Sequence, residues 1–206
     1  METNRDPSIR NDPKAVEIGK YLRSKLKPHR YEHVLSVRDT AIDLAKSYDA
    51  DLRKVNLAAL LHDCAKWMSV SELYEAVADY QLELDEIEQS NPSLLHAIVG
   101  AELAVKLFGI SDPEILSAIR IHTAGSGKMT LIDKILYVAD FAEPTREYQN
   151  IDLVRTLAYQ NLDAAVFEVA KYKIAHLLNK GMLIHPDTIN AYNSAMQKMK
   201  ESSEAL

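Results

Sequence analysis

A single cysteine, Cys64, occurs in 206 residues, so no disulfide can form within the chain, which suits a reducing compartment. Basic residues are in the minority: 24 Lys and Arg face 30 Asp and Glu, for a formal charge of −6, and no local Lys/Arg cluster offsets it. That composition argues against duplex nucleic acid as a partner. No apolar run approaches the ~20 residues needed to span a bilayer. The polar opening METNRDPSIRND lacks the hydrophobic core of a signal peptide. A cytoplasmic protein without a membrane partner is expected. Strand-like alternation is nowhere sustained, which leaves an all-α fold.

What is present is ordinary soluble composition, 47% hydrophobic and 26% charged, in a length that one domain can bury without help. The expected division is a polar tail over 1–11, a single domain over 12–200 and a short tail over 201–206. Three segments, NDPKAVEIG, SNPSLLHAI and SDPEILSAI, place Asp12, Asn91 or Asp112 just before a proline and a helix-period pattern. Each can cap a helix whose first turn tolerates the missing proline N–H. A second helix is expected from about Tyr31 and a third from an Asp51 cap through Lys66. Further helices are expected over 70–79, 92–108, 113–122, 130–142, 151–180 and 187–202.

The run AALLHDCAK, residues 58–66, is apolar until it meets His62 and Asp63 side by side. Burying both is costly unless something pairs with them. Similar placements recur. His33 aligns with Val37, Ala41, Leu44 and Tyr48; His96 shares a face with Val99, Gly100 and Leu103; His122 closes ILSAIRIH; Asp140 follows the apolar run ILYVA. Any one of these histidines reads as a hydrogen-bonded core residue, and Asp140 alone as a capping or salt-bridged aspartate. Together they read as a metal-ligand set, because imidazole and carboxylate are ligands for divalent ions.

The ordered set His33, His62 with Asp63, His96, His122 and Asp140 resembles the HD-domain superfamily of metal-dependent phosphohydrolases, in its binuclear branch. The words RYEHVLSV, ALLHDCAK, LLHAIVGAELA, IRIHTAG, KILYVADFAEPTRE and KGMLIHPDTINAYN are similar to the YqeK family over about residues 15 to 195. Members of that family hydrolyse diadenosine tetraphosphate symmetrically to two ADP. The resemblance implies a helical single-domain HD fold and two divalent metal ions, commonly iron. It also implies that His33, His62, Asp63 and Asp140 hold one ion while Asp63 reaches a second held by His96 and His122. Manganese, cobalt or zinc would suit the same ligands. Two such ions acidify a bridging water and neutralise phosphoryl charge. The sequence departs from the family pattern in the loop TAGSGKMT after His122, which bears on the substrate pocket.

Asp63 and Lys66 are the catalytic candidates, Lys66 because it follows His62 by one helical turn and could reach a bound phosphate; the alternative is a solvated lysine. Arg146 suits bidentate phosphate contact, against ordinary pairing with Glu143 or Glu147. His29 is either a substrate contact or a surface turn residue. His176 and His185 read as structural, with Gly181 at a helix cap. The loop GSGK at 125–128 does not fit a phosphate loop, since His122 stands where its first glycine would be and Met129 follows Lys128; a lid is expected instead. Trp67 or a tyrosine could stack a base. A dinucleoside polyphosphate or nucleotide substrate and a homodimer are expected. The rival readings are another HD-domain nucleotide phosphohydrolase or phosphodiesterase, a non-catalytic metal or nucleotide sensor, and a structural helical module.

Overall fold

The computed structural model describes residues 11–204, with side chains through 201. The expected N-terminal tail therefore lies almost wholly outside the described residues. Among those described there are eleven helices and no strand. They are α1 Pro13–Lys25, α2 Pro28–Ser47, α3 Leu52–Leu61, α4 Val70–Asp79, α5 Glu86–Ser90 and α6 Pro92–Phe108. The rest are α7 Pro113–Ile121, α8 Leu131–Ala142, α9 Ile151–Gln160, α10 Leu162–Asn179 and α11 Pro186–Glu204. No described helix is long and apolar enough to cross a membrane.

The capping logic of the sequence holds. Asp12 accepts from Lys14 N, Asp51 from Lys54 N, Asn91 from Ser93 N and Asp112 from Glu114 N, and prolines occupy the first turns after Asp12, Asn91 and Asp112. Gly181, at φ +60, follows α10, and Met182 N returns to Leu177 O in a left-handed cap.

Five features differ from expectation. α2 begins at Pro28 rather than near Tyr31, because Pro28 supplies the first turn. α3 stops at Leu61 and not Lys66: Cys64 N bonds Leu61 O, Lys66 N bonds Asp63 O and Met68 N bonds Ala65 O, so the chain winds on in tight three-residue turns. The span 151–180 is two helices. Asn161 breaks it at φ −156, ψ 99, and its side chain caps α10 through Ala164 N. α5 was not expected; it is five residues long and held by a capping box between Asp85 and Glu88. At the other end, α11 runs through Glu204, past the tail expected from 201.

The core is continuous from Ile18 and Leu22 on α1 to Val169 and Ala170 on α10. α2 packs along α3 and α8, α7 lies against α3, α6 and α8, and α10 joins α8 to α11. This arrangement brings the C-terminal ends of α3, α7 and α8 to one place, faced by α2 and α6. Gly100 lets α6 pass close to the end of α3: a Cβ there would stand 3.4 Å from Cys64 Sγ and 3.8 Å from His62 O.

Candidate metal centre

Each ligand-type residue owes its position to a helix end or face. His62 and His122 are the C-caps of α3 and α7, and their Nδ1 atoms lie 2.7 Å from Ala59 O and Ile119 O, last-turn carbonyls of their own helices. His96, early in α6, makes the same contact with Ser93 O at 2.7 Å. His33 on α2 instead places Nδ1 3.1 Å from Glu143 Oε1. A carbonyl or carboxylate oxygen can only accept, so in all four rings Nδ1 carries the proton and donates. In His62, His96 and His122 Nε2 is left as a lone pair turned inward, whereas His33 Nε2, 3.1 Å from Asp140 Oδ1, carries a second proton in place of a cation.

These Nε2 atoms converge on two carboxylates. Asp63 Oδ2 lies 3.6 Å from His62 Nε2 and 3.9 Å from His33 Nε2, while its Oδ1 lies 3.4 Å from His96 Nε2 and 3.8 Å from His122 Nε2. Asp140 Oδ1 is 3.1 Å from His33 Nε2 and 3.9 Å from His62 Nε2. The two oxygens of Asp63 thus face two separate donor groups, one with His33, His62 and Asp140, the other with His96 and His122.

The donor chemistry fits divalent cations. His96 Nε2 and His122 Nε2 stand 3.2 Å apart, two lone pairs turned on each other, and His62 Nε2 is buried with no hydrogen-bond partner. Such atoms are costly in an apolar interior unless a proton or a cation joins them. Burial pushes His96 well below the usual histidine range, helped by the charge of Lys66, and pushes His122 down to about 4. Both are therefore neutral ligands at neutral pH. Burial works against ionisation of Asp63 and Asp140. Even so, His62, His96 and His122 hold Asp63 well below its ordinary value, and the hydrogen bond from His33 and the charges of His62 and His122 do the same for Asp140.

The surroundings supply positive charge. Arg30 Nη1 donates to Asp63 Oδ2 at 3.0 Å, and Arg146 Nη2 donates to Asp140 Oδ1 at 3.3 Å. Lys66 is exposed in the turn after α3, and its charge is among those that favour ionised Asp63. Glu143 is fully buried and takes donors from His33, Ser36 Oγ at 2.7 Å, Thr145 N at 2.7 Å and Thr145 Oγ1 at 2.6 Å. Burial alone would raise its carboxyl, but these hydrogen bonds bring it down to about 2.

Two cavities open beside this centre. One, of about 340 Å³, is lined by Asp140, Lys173 and the aromatic wall Phe141, Tyr148, Tyr172 and His176. In that wall Phe141 stacks on Tyr148 at 4.7 Å and Tyr172 on His176 at 6.1 Å. The other, of about 470 Å³, shares Leu94, Thr123, Ala124 and His185 with the first. Thr123 Oγ1 sits 3.2 Å from His122 Nε2 and 3.4 Å from His96 Nε2, so the junction of the cavities touches the centre.

All six ligand candidates are thus brought together, and Arg146 joins them. His29 is not: it is exposed in the first turn of α2, and the next residue, Arg30, is the one that reaches Asp63. Arg30, Glu143, Ser36 and Thr145 had not been singled out as site residues. Only the arginine one step from His29 offered any sequence signal. Trp67 packs beneath Lys25 and lines neither cavity, whereas His176 and His185 line cavity walls. The loop expected to be a lid is seated: Gly125 is buried at φ +81, where a Cβ would meet Ala191 Cβ at 3.0 Å.

Residues 30–144 match the HD domain family. The chain is 38% identical over 190 residues to a Halalkalibacterium halodurans protein named bis(5'-nucleosyl)-tetraphosphatase, symmetrical, spanning 92% of this chain and all of that one. A Bacillus subtilis protein of the same name is 39% identical over 172 residues, spanning 84% of this chain and 92% of its own. A crystal structure from Clostridium acetobutylicum, described as a predicted HD superfamily hydrolase involved in NAD metabolism, superposes with a TM-score of 0.85 at 37% identity. It covers 89% of this chain and 97% of that one.

Proposed function

Because the chain belongs to the HD-domain family, we propose that it shares the activity named for its relatives and hydrolyses dinucleoside tetraphosphates symmetrically, diadenosine tetraphosphate to two ADP. The observation that carries this reading is the division of Asp63, whose two oxygens face two separate sets of imidazole nitrogens.

In this reading His33, His62, Asp63 and Asp140 hold one divalent ion, and Asp63, His96 and His122 hold the other. When bound, such a pair acidifies water and neutralises phosphoryl charge. The chain's own residues do the rest. The Nδ1 bonds to Ala59, Ser93 and Ile119 carbonyls and to Glu143 fix each imidazole in the tautomer that presents Nε2 inward. Arg30 and Arg146, already beside Asp63 and Asp140, and Lys66 at the rim offer N–H donors to phosphate oxygens. The wall of Tyr148, Tyr172 and His176 offers one base an aromatic face. The group released is a nucleoside diphosphate, whose oxygen leaves as a stabilised anion, so no strong general acid is required. Iron is the proposed ion, and the proposal extends to a cytoplasmic homodimer working without nucleic acid or membrane.

The test is product analysis. Anaerobically prepared protein loaded with ferrous iron or manganese is incubated with diadenosine tetraphosphate, beside Asp63→Ala. ADP as the single nucleotide product, lost in the variant, is the expected result. ATP with AMP would move the cleavage position, and no product with two ions bound per chain would overturn the reading.

A further inference from the structure

Central cleavage of a dinucleoside tetraphosphate leaves two equal halves extending from the reacting phosphorus, so a nucleoside must be housed on each side of the metal centre. The aromatic cavity beside Asp140 and Lys173 can house one. We infer that the larger cavity across His185 is the site of the second nucleoside, an inference that rests on the function proposed above.

Position is the first reason. The cavities meet at Thr123, whose hydroxyl lies 3.2 Å from His122 Nε2 and 3.4 Å from His96 Nε2. A chain of phosphates centred there has one cavity at each end. Charge is the second. Four carboxylates, Glu83, Asp85, Glu88 and Asp187, line the larger cavity against Arg120 as its one full cation. Such a rim repels phosphate but accepts hydrogen bonds from ribose hydroxyls and from the exocyclic amino group of a purine. Leu94, Ala97 and Ile98 supply an apolar floor for the base, and about 470 Å³ falls within the usual range for small-molecule sites.

His185 is the third reason. Asp85, Glu88 and His185 are close enough to suggest a further metal site. The tautomer excludes it: His185 Nδ1 accepts from Asp187 N at 3.1 Å, so Nε2 carries the proton and has no lone pair to give. That N–H faces Asp85 Oδ2 at 2.8 Å, so His185 holds the Asp85 carboxylate at the boundary between the two cavities, where its remaining lone pairs can accept from a bound nucleoside.

Adenosine 5'-tetraphosphate carries the same four phosphates with one nucleoside, and central hydrolysis converts it to ADP and pyrophosphate. The double variant Asp85→Asn, Glu88→Gln removes the two charges while keeping side chains that can cap α5. With manganese-loaded protein, the ratio of kcat/KM for diadenosine tetraphosphate over adenosine tetraphosphate should exceed one in the wild type. It should fall about tenfold in the variant, equivalent to about 1.4 kcal/mol. A ratio that stays at the wild-type value, including an equal loss on both substrates, overturns the inference. Wild-type protein that releases ADP from neither substrate overturns the proposed function itself.

Discussion

Glu143 is the residue whose replacement tests most directly how the centre is held. Its carboxylate is fully buried and accepts from four groups: His33 Nδ1, Ser36 Oγ, Thr145 N and Thr145 Oγ1. In Glu143→Gln one oxygen becomes an NH₂; the hydroxyl beside it, of Ser36 or Thr145, can turn to accept, but the N–H beside it, of Thr145 or His33, loses its acceptor. At roughly 1–3 kcal/mol for a buried group left unsatisfied, the variant should be about 1–3 kcal/mol less stable at pH 7. His33 no longer faces a carboxylate, which lowers the basicity of its Nε2, and affinity for divalent ion should fall roughly 10–100-fold. The pH dependence has a definite sign. The carboxyl is depressed from 4.5 to about 2, so its contribution is complete above 4.5 and is lost as pH falls toward 2. Denaturant midpoints of chelator-treated wild type and variant should therefore differ most at neutral pH and converge below 4.5, and calorimetric titration reads the ion affinity. A variant with wild-type ion affinity and an undiminished midpoint at pH 7 would refute this account of His33.

The Tyr137 hydroxyl is buried with no hydrogen-bond partner, so Tyr137→Phe should leave the melting temperature unchanged or raise it, the stability change being about 1 kcal/mol or less. Gly125→Ala places a Cβ 3.0 Å from Ala191 Cβ at φ +81 and should cost about 1–3 kcal/mol in thermal unfolding; an unchanged melting temperature would mean that the loop after His122 is not seated as described. Lys173 donates to Thr123 O at 2.9 Å and lies 3.8 Å from the centroid of the Tyr137 ring, and burial lowers it from 10.5 to about 8. The unfolded chain binds this proton more tightly, so wild-type stability gains from this group as pH rises from about 8 to 10.5. Lys173→Met should remove that gain in denaturant titrations across the window.

The six ligand candidates were legible in the sequence because each interrupts an apolar pattern at a helix face or end. Three helix starts, those of α1, α6 and α7, were legible because an Asx–Pro pair fixes both a cap and a first turn. Residues that support the centre were not. Glu143 meets Ser36 and His33 across more than a hundred residues, and nothing local to AEPTR announces it. The break at Asn161 was hidden because Ala158, Leu162 and Ala165 continue the apolar pattern through it. The end of α3 was hidden for a similar reason: Cys64 and Ala65 are as buried as Ala58 and Leu61, while the change from four-residue to three-residue winding leaves hydropathy untouched. His29 and Arg30 show the limit of such reading, which starts α2 near Tyr31, leaves both residues before the helix and so does not tell which of them turns inward.

The meeting of three helix C-termini has a consequence for the order in which the site can fill. Each end carries about −0.5 of an elementary charge, so α3, α7 and α8 together contribute about −1.5 beside the two carboxylates of Asp63 and Asp140. The guanidinium groups of Arg30 and Arg146, engaged with the same carboxylates, and Lys66 at the rim offset most of that charge but leave no surplus to draw in a chain of phosphates. The proposed pair of divalent ions would add four positive charges where the helix ends and carboxylates converge, and so would supply that surplus. On this account the backbone itself favours an order of events, cation before anion.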